Sequence, residues 1–305
     1  MALRNSPIHP VKSPLRRILR YRPPYDWPSI LGFLALRATP GVESVDEQCY
    51  RRTIASQGQS GWIEVRQHDR QHCLALTVWF PSPKALLKIA ARVRGQFDLD
   101  ADSVEISQRL AQSPLLKDIV KAFPGMRLPG SWDIFELVVR AILGQQVSVP
   151  AATTLSGRLA ESFGELLEGS SHPGLKRLFP TPEALAQADV SSIGMPRKRA
   201  QAIQKLSRAV AEGRIALDPS MDYQDFVQML KQQDGIGEWT AQYAAMRGLR
   251  HPDAFPASDL VLLKSSSLDN PTPKALTALA NQWRPWRAYA AIYLWKKASG
   301  RKERL

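Results

Sequence analysis

The sequence predicts an α+β domain with an antiparallel sheet, followed by a larger all-helical domain. The chain has 305 residues, enough for two units at about 150 residues per domain. Between residues 61 and 79, apolar and polar residues alternate as they do in half-buried strands. After residue 106, nearly every segment has the apolar spacing of an amphipathic helix.

The N-terminal segment, residues 1–22, contains six basic residues and no acidic residue. It also contains three prolines and few residues that could be buried. This composition predicts a flexible basic arm that attracts phosphate groups without sequence preference. An inert extension is the alternative interpretation.

The α+β unit is predicted over residues 23–108. Its strands alternate around a polar turn, and its helices have apolar residues at helical spacing. The predicted strands are Gly61–Arg66 and Cys73–Trp79, with the turn at His68–Arg70, and the predicted helices are Ser29–Arg37 and Lys84–Val93.

The helical unit is predicted over residues 109–305. We expect Ser131 to cap its first long helix and Gly213 to end the helix over Arg197–Ala211. The predicted helices are Trp132–Leu143, Val149–Phe163, Arg197–Ala211, Tyr223–Lys231, Trp239–Gly248, Lys274–Trp283 and Trp286–Ala298.

The composition limits the classes of function. Lysine and arginine number 41 against 28 acidic residues, and a net charge of +13 favours a polyanionic partner such as nucleic acid. Two cysteines exclude a disulfide framework, a cysteine-ligated zinc site and a four-cysteine iron–sulfur cluster. No apolar stretch reaches the ~18–20 residues that span a bilayer, and no secretory signal follows the N-terminus. We therefore expect a cytosolic protein.

The most informative local motif is Gly235-Ile236-Gly237, which separates two predicted helices. Glycines allow a tight turn, and the free N–H groups at the start of the following helix can bind an anion. In a basic protein this arrangement indicates a helix-hairpin-helix motif that binds a DNA phosphate. Asp234 and Glu238 flank the turn and would repel a phosphate unless they point away.

A second motif places Asp259 beyond the hairpin, at the start of an apolar run. Ser258 or Asp259 could simply cap the next helix. The position behind the hairpin favours a functional role, because a carboxylate there would face DNA bound on the hairpin.

Taken together, the motifs resemble the inducible bacterial DNA-3-methyladenine glycosylase II family of the helix-hairpin-helix DNA glycosylase superfamily. The similarity runs in a consistent order along the chain and leaves out only the arm. It is carried by Arg22-Pro-Pro-Tyr-Asp-Trp27, Leu31-Gly-Phe33, Arg140-Ala-Ile-Leu-Gly-Gln145, Gly194-Met-Pro-Arg-Lys-Arg199, Gly235-Ile-Gly-Glu-Trp-Thr-Ala241, Trp283-Arg-Pro-Trp-Arg-Ala-Tyr289 and Leu294-Trp295.

The resemblance implies that an α+β domain rests on a two-lobed helical domain, with the substrate cleft between the lobes. It implies that Asp259 is catalytic, and that Trp239, Tyr243, Trp295 and Phe33 line a base pocket. Core packing is the alternative role for each aromatic residue. The spacing of Trp239 and Tyr243 places both on one helix face.

Gln146 occupies the position of the residue that penetrates the duplex, where the family often has leucine. Lys296 replaces an aromatic residue of the family, and the segment after Asp259, from Lys264 on, has few cations. The family's lyase relatives carry a lysine where this chain has Trp239.

We therefore expect a monofunctional glycosylase that flips out and hydrolytically excises alkylated bases from double-stranded DNA. The predicted protein is a monomer without an organic cofactor or a metal held by side chains. A structural monovalent cation on main-chain carbonyls of the hairpin is implied by the resemblance alone. The alternatives are a non-catalytic DNA-binding module and a bifunctional glycosylase/lyase.

Overall fold

The computed structural model describes residues 13–68 and 70–302 of the chain. The N-terminal part contains a five-stranded sheet in the order β1-β5-β4-β3-β2, with antiparallel pairing between all neighbours. Its strands are β1 (Leu15–Arg20), β2 (Glu43–Val45), β3 (Cys49–Ser56), β4 (Gln59–Gln67) and β5 (Cys73–Trp79).

The helices confirm the predicted fold class. The first two, α1 (Trp27–Ala35) and α2 (Leu86–Gln96), share a hydrophobic core with the sheet. The helices that follow are α3 (Ser103–Leu110), α4 (Lys117–Ala122), α5 (Ile134–Leu143), α6 (Val149–Phe163), α7 (Pro182–Gln187), α8 (Arg197–Ala211), α9 (Tyr223–Lys231), α10 (Glu238–Gly248), α11 (Leu260–Ser265), α12 (Pro273–Ala280) and α13 (Arg287–Lys302).

Strand β1 corrects the prediction of a flexible arm over residues 1–22. It pairs along its whole length with β5, and Leu19 lies opposite Leu74 with both side chains buried. Leu15 and Leu19 supply the apolar face that an edge strand needs, which the basic residues beside them obscured. Residues 1–12 lie outside the described residues.

Strand β3 was missed because two arginines interrupt its pattern. Arg51 and Arg52 stand in its middle, yet Arg52 is only 3% exposed and pairs with Glu136 of α5 at 2.7 Å. A buried arginine with a carboxylate partner behaves as a core residue, although its sequence signal is that of a surface residue. The predicted strands correspond to β4 and β5, and their predicted turn includes residue 69, outside the described residues.

The helix ends follow side-chain caps. Asp26 accepts the N–H of Ser29, which starts α1 earlier than predicted. The prediction of Ser131 as the cap of α5 is wrong: Asp133 accepts the N–H of Glu136 at 3.0 Å. Gly213 ends α8 as predicted, with φ +69° in the left-handed region that favours glycine.

Helix α5 lies where the sheet domain meets the helical domain. Its Glu136 and Arg140 form buried ion pairs with Arg52 and Glu43 of the sheet, the latter pair at 2.9 Å. Arg140 also donates to the main-chain carbonyl of Arg37, just beyond α1. These contacts fix the end of α1 against α5. The domain boundaries at 22/23 and 108/109 stay predictions, apart from the correction at β1.

Candidate active site

Asp259 lies at the N-terminus of α11 and caps it. Its Oδ1 atom accepts the backbone N–H groups of Val261 at 2.9 Å and Leu262 at 3.0 Å. The capping role considered from the sequence is therefore real. Capping does not occupy the whole carboxylate, because both capping hydrogen bonds go to Oδ1 and neither goes to Oδ2.

Two tryptophans donate to the same carboxylate. The indole N–H of Trp239 reaches Oδ2 at 2.9 Å, and that of Trp295 reaches Oδ1 at 3.1 Å. Trp239 stands in the first turn of α10, and Trp295 lies on α13. Three helices thus meet at Asp259, and four N–H donors hold its orientation.

A cluster of aromatic rings lies beside this carboxylate. Trp239 and Tyr243 are stacked with their ring centroids 5.0 Å apart, and Tyr243 lies 6.2 Å from Trp295. Phe33, from α1, lies 6.5 Å from Trp295 with 26° between the ring planes. The structure therefore brings together Asp259 and all four aromatic residues that the resemblance implies for the pocket.

Two arginines that the sequence analysis missed complete this cluster. Arg247 donates to the Tyr243 hydroxyl at 2.7 Å, and its other donors are held by the carbonyls of Pro129 and Gly130. The guanidinium carbon of Arg37 lies 3.8 Å from the centre of the Phe33 ring. The spacing of four residues in each pair is the signal that could have found them.

The two arginines change the acidity of Tyr243. Burial by itself raises the pKa of this hydroxyl, but the charges of Arg247 and Arg37 outweigh burial and lower the pKa below its ordinary value. Burial lowers the pKa of the Arg37 guanidinium in turn, with Arg247 adding to the effect. Two guanidinium groups therefore lie beside the ring of Tyr243.

The hairpin has the geometry expected from its glycines. Gly235 has φ +77°, and a Cβ atom there would lie 2.6 Å from the Cβ of Ala202 on α8. Ile236 is buried, whereas a Cβ at Gly237 would meet open space. The loop is thus anchored on its inner side and leaves its outer side accessible to a ligand.

The two acidic residues beside the hairpin are each paired with a lysine. Asp234 pairs with Lys205 of α8 at 2.5 Å, and Glu238 pairs with Lys231 of α9 at 2.6 Å. The repulsion of a phosphate that these two carboxylates would cause is offset by the two lysines.

Gln146 lies in the loop between α5 and α6, exposed, with φ +57°. Among the described residues, no hydrogen bond or aromatic contact joins it to the cluster around Asp259. The neighbouring Gln145 donates from Nε2 to the carbonyl of Gly235 at 2.9 Å and to the Thr240 hydroxyl at 3.2 Å. The sequence analysis gave Gln145 no role.

The two lysines named in the sequence analysis, Lys264 and Lys296, do not join the cluster. The Nζ atom of Lys296 lies 4.6 Å from the centre of the Phe123 ring, so its ammonium group makes a cation–π contact there. Lys264 is exposed on α11.

Among the described residues, no group of three or more acidic, histidine or cysteine side chains could hold a metal ion. No helix in residues 13–68 and 70–302 is both long and apolar enough to cross a membrane.

Two family models match this chain. One, described as the AlkA N-terminal domain, matches residues 16–133, and the other, described as the HhH-GPD superfamily base excision DNA repair protein, matches residues 139–284. DNA-3-methyladenine glycosylase 2 of Escherichia coli is 35% identical over 280 residues, covering 91% of this chain and 95% of that protein.

Two further similarities differ in extent. A probable bifunctional transcriptional activator/DNA repair enzyme AlkA of Mycobacterium tuberculosis is 39% identical over 280 residues. The match covers 91% of this chain and 56% of that protein, so the chain spans little more than half of its length. The structure of a 3-methyladenine DNA glycosylase from Archaeoglobus fulgidus shares the fold, with a TM-score of 0.79 at 21% identity over 93% of this chain and 98% of that one.

The similarity to the Escherichia coli protein extends over nearly the full length of both chains, and the two family models follow each other in the order of the two domains. The chain therefore belongs to the helix-hairpin-helix superfamily of base-excision DNA repair proteins and, within it, to the family of DNA-3-methyladenine glycosylase 2.

Proposed function

We propose that this protein is a monofunctional DNA glycosylase that excises alkylated bases from double-stranded DNA and leaves an abasic site. The observation that carries the proposal is the carboxylate of Asp259, held by Trp239 and Trp295 at the edge of an aromatic cluster. The same helix α10 that presents Trp239 begins at the hairpin. A phosphate bound there would place the adjoining nucleotide near this cluster.

The reaction begins with extrusion of the damaged nucleotide, because the bond to its base is inaccessible inside the stack. Gly235, Ile236 and Gly237 would hold a flanking phosphate through backbone N–H groups. Gln146, exposed in its loop, would fill the gap in the duplex and hydrogen-bond the base left without a partner.

The aromatic cluster favours a cationic base. Alkylation at N3 or N7 leaves a purine positively charged, and stacking on indole or phenol rings stabilises such a cation by ~0.5–2 kcal/mol per contact. A cationic purine is also a good leaving group and needs no proton from a general acid. Trp239 and Trp295 would supply these contacts, because Arg37 and Arg247 already lie against the rings of Phe33 and Tyr243.

Asp259 would act on the sugar. As the glycosidic bond breaks, the base leaves with the bonding electron pair and positive charge develops on the sugar ring. A fixed carboxylate stabilises that charge, and it can orient the water whose oxygen bonds to the C1′ carbon and whose proton passes to solvent. The two indole N–H groups would keep the carboxylate in place throughout.

No organic cofactor enters this scheme. A monovalent cation at the hairpin would be held by main-chain carbonyls rather than by side chains, because Asp234 and Glu238 are paired with lysines. Carbonyl oxygens suit such a hard cation. We also propose that the protein acts as a monomer. We place it in the cytoplasm, associated with the nucleoid when it is bound to DNA.

The proposal is tested by incubating the protein with methylated duplex DNA and identifying the released bases by chromatography. We expect 3-methyladenine and 7-methylguanine in the soluble fraction, and none after incubation without protein beyond spontaneous loss. Binding to DNA without release of any base would instead identify a non-catalytic DNA-binding module.

A further inference from the structure

The loop between α5 and α6, residues 144–148, is fastened to the hairpin by one side chain. We call it the wedge loop. The amide of Gln145 donates both to the Gly235 carbonyl at 2.9 Å and to the hydroxyl of Thr240 at 3.2 Å. Gly235 belongs to the turn of the hairpin, and Thr240 is a buried residue in the first turn of α10. A single amide thus joins the wedge loop to both parts of the hairpin.

Other contacts hold the ends of the wedge loop. Arg199 of α8 donates to the carbonyl of Leu143 at 3.2 Å, where α5 ends. Ser148 caps α6 by accepting the N–H of Ala151 at 3.3 Å. Between these fixed points, Gln146 is exposed and has a left-handed backbone conformation. The side chain before it is committed to the hairpin, whereas its own is available to DNA.

We propose that Gln145 is a positioning residue for base flipping, which holds Gln146 at a set distance from the phosphate-binding hairpin. This inference rests on the proposed function, since it takes the hairpin as the phosphate site and Gln146 as the wedge. A loop on the surface is mobile unless side chains fix it, and small displacements of positioned groups reduce rates strongly. The amide of Gln145 makes phosphate binding and insertion of the wedge one coupled event.

The replacement that isolates this role is Gln145→Met, which keeps the length and the uncharged state of the side chain and removes the donor. Gln233→Met is the matched control, because the amide of Gln233 donates only within its own segment, to the carbonyl of Met229 at 3.2 Å. Both glutamines lie near the hairpin, and only one connects it to the wedge loop.

We expect Gln145→Met to slow single-turnover excision from methylated duplex DNA by about tenfold, as loss of a hydrogen bond of ordinary strength allows. Excision from single-stranded DNA and affinity for undamaged duplex should stay within about twofold of the unmodified protein. A duplex with one 1,N6-ethenoadenine, which fluoresces more when unstacked, should show less flipping with Gln145→Met than with Gln233→Met.

A double-mutant cycle identifies the contact responsible. Thr240→Val removes the second acceptor, and its effect on flipping should be smaller in the Gln145→Met background than alone, because the two residues share one contact. If Gln145→Met does not fold, Gln145→Asn replaces it, since its shorter amide does not reach Gly235. Thermal unfolding midpoints establish that each variant is folded.

Three results would overturn the inference: equal losses on duplex and single-stranded DNA, an equal loss in Gln233→Met, or independent effects of Gln145 and Thr240. The fluorescence measurement tests the positioning role of Gln145 separately from the proposed function. A protein that flips ethenoadenine but releases no methylated base would contradict the proposed activity and leave the coupling by Gln145 measurable. Absence of flipping by the unmodified protein would contradict the coupling itself.

Discussion

The indole of Trp239 donates to the carboxylate of Asp259 at 2.9 Å, across twenty residues of sequence. This contact ties the first turn of α10, which follows the hairpin, to the first turn of α11, which Asp259 caps. The helix that follows the phosphate-binding hairpin is therefore connected by one hydrogen bond to the carboxylate proposed to act on the sugar.

Asp259→Asn should reduce base release by about 10²- to 10³-fold, the usual effect of losing one preorganised charge stabiliser. Asparagine keeps an oxygen that can cap α11, so the fold should be retained. Single-turnover excision from methylated DNA measures the effect. Asp222→Asn is the control, because Asp222 caps α9 in the same way, accepting the N–H groups of Gln224 and Asp225. Excision by Asp259→Asn at the rate of this control would refute a catalytic role.

Gln146→Ala should weaken binding to a lesion in duplex DNA and slow its excision, because the vacated space is no longer filled. Single-stranded DNA has no partner base to separate, so excision from it should change little. The ratio of the two single-turnover rates is the measurement. Equal reductions on both substrates would mean that Gln146 acts elsewhere than in the duplex gap.

The product should be an intact abasic site without strand cleavage. A lyase needs an amine near the sugar to form a Schiff base, and Trp239 stands where lyase relatives carry lysine. Lys296 is directed to the ring of Phe123 and Lys264 is exposed on α11. Borohydride treatment of the reaction should yield no covalent protein–DNA band, and strand breaks should appear only after alkali. A trapped band that disappears on mutation of Lys264 or Lys296 would establish lyase activity.

Asp98→Asn should stabilise the protein at neutral pH. Burial raises the pKa of this carboxyl from 3.8 to about 6, against the hydrogen bonds from Leu128 and Tyr289. The folded state therefore binds its proton more tightly than the unfolded state does, and stability falls as pH rises from about 4 to about 6. The shift corresponds to about 3 kcal/mol, which an uncharged asparagine avoids in part.

Urea unfolding of Asp98→Asn at pH 4, 5, 6 and 7.5 measures this difference. The unmodified protein should lose stability relative to the variant across that range, with the gap largest at pH 7.5. A variant that is less stable by the same amount at every pH would show that the ionisation of Asp98 contributes nothing.

Glu136→Gln should destabilise the fold by about 3–5 kcal/mol, because it leaves the buried charge of Arg52 without its carboxylate. Glu212→Gln breaks an exposed pair with Arg214 and should change the free energy of unfolding by about 1 kcal/mol or less. Denaturant unfolding compares the two. Equal effects would mean that the pair between the sheet and α5 does not hold the domains together.

Much of the fold and of the candidate site could be predicted from local sequence. The turn Gly235-Ile236-Gly237 depends on residues that are neighbours in the chain, and so does the stacking of Trp239 on Tyr243 one helical turn later. The helices over Arg197–Ala211 and Tyr223–Lys231 have the predicted bounds, because their apolar spacing repeats over several turns. Residues that carried the family resemblance also lie at these positions.

What the sequence could not predict depends on partners far along the chain. Arg52 looks like a surface residue until α5 brings Glu136 to it, and β1 looks like a basic arm until β5 pairs with it. The same holds for Arg37 and Arg247, whose place at the pocket depends on how α1 packs against α10.

The sequence by itself determined the order of the two domains and the hairpin, because each depends on composition or spacing within a few turns. The family resemblance implied the carboxylate and the aromatic residues of the site. Only the tertiary structure decided that Phe33 of the sheet domain meets Trp295 of the last helix, and that Gln145 reaches the hairpin. Such contacts join segments separated by many residues. They form only where packing of whole helices and sheets compensates for the entropy of closing the chain between them.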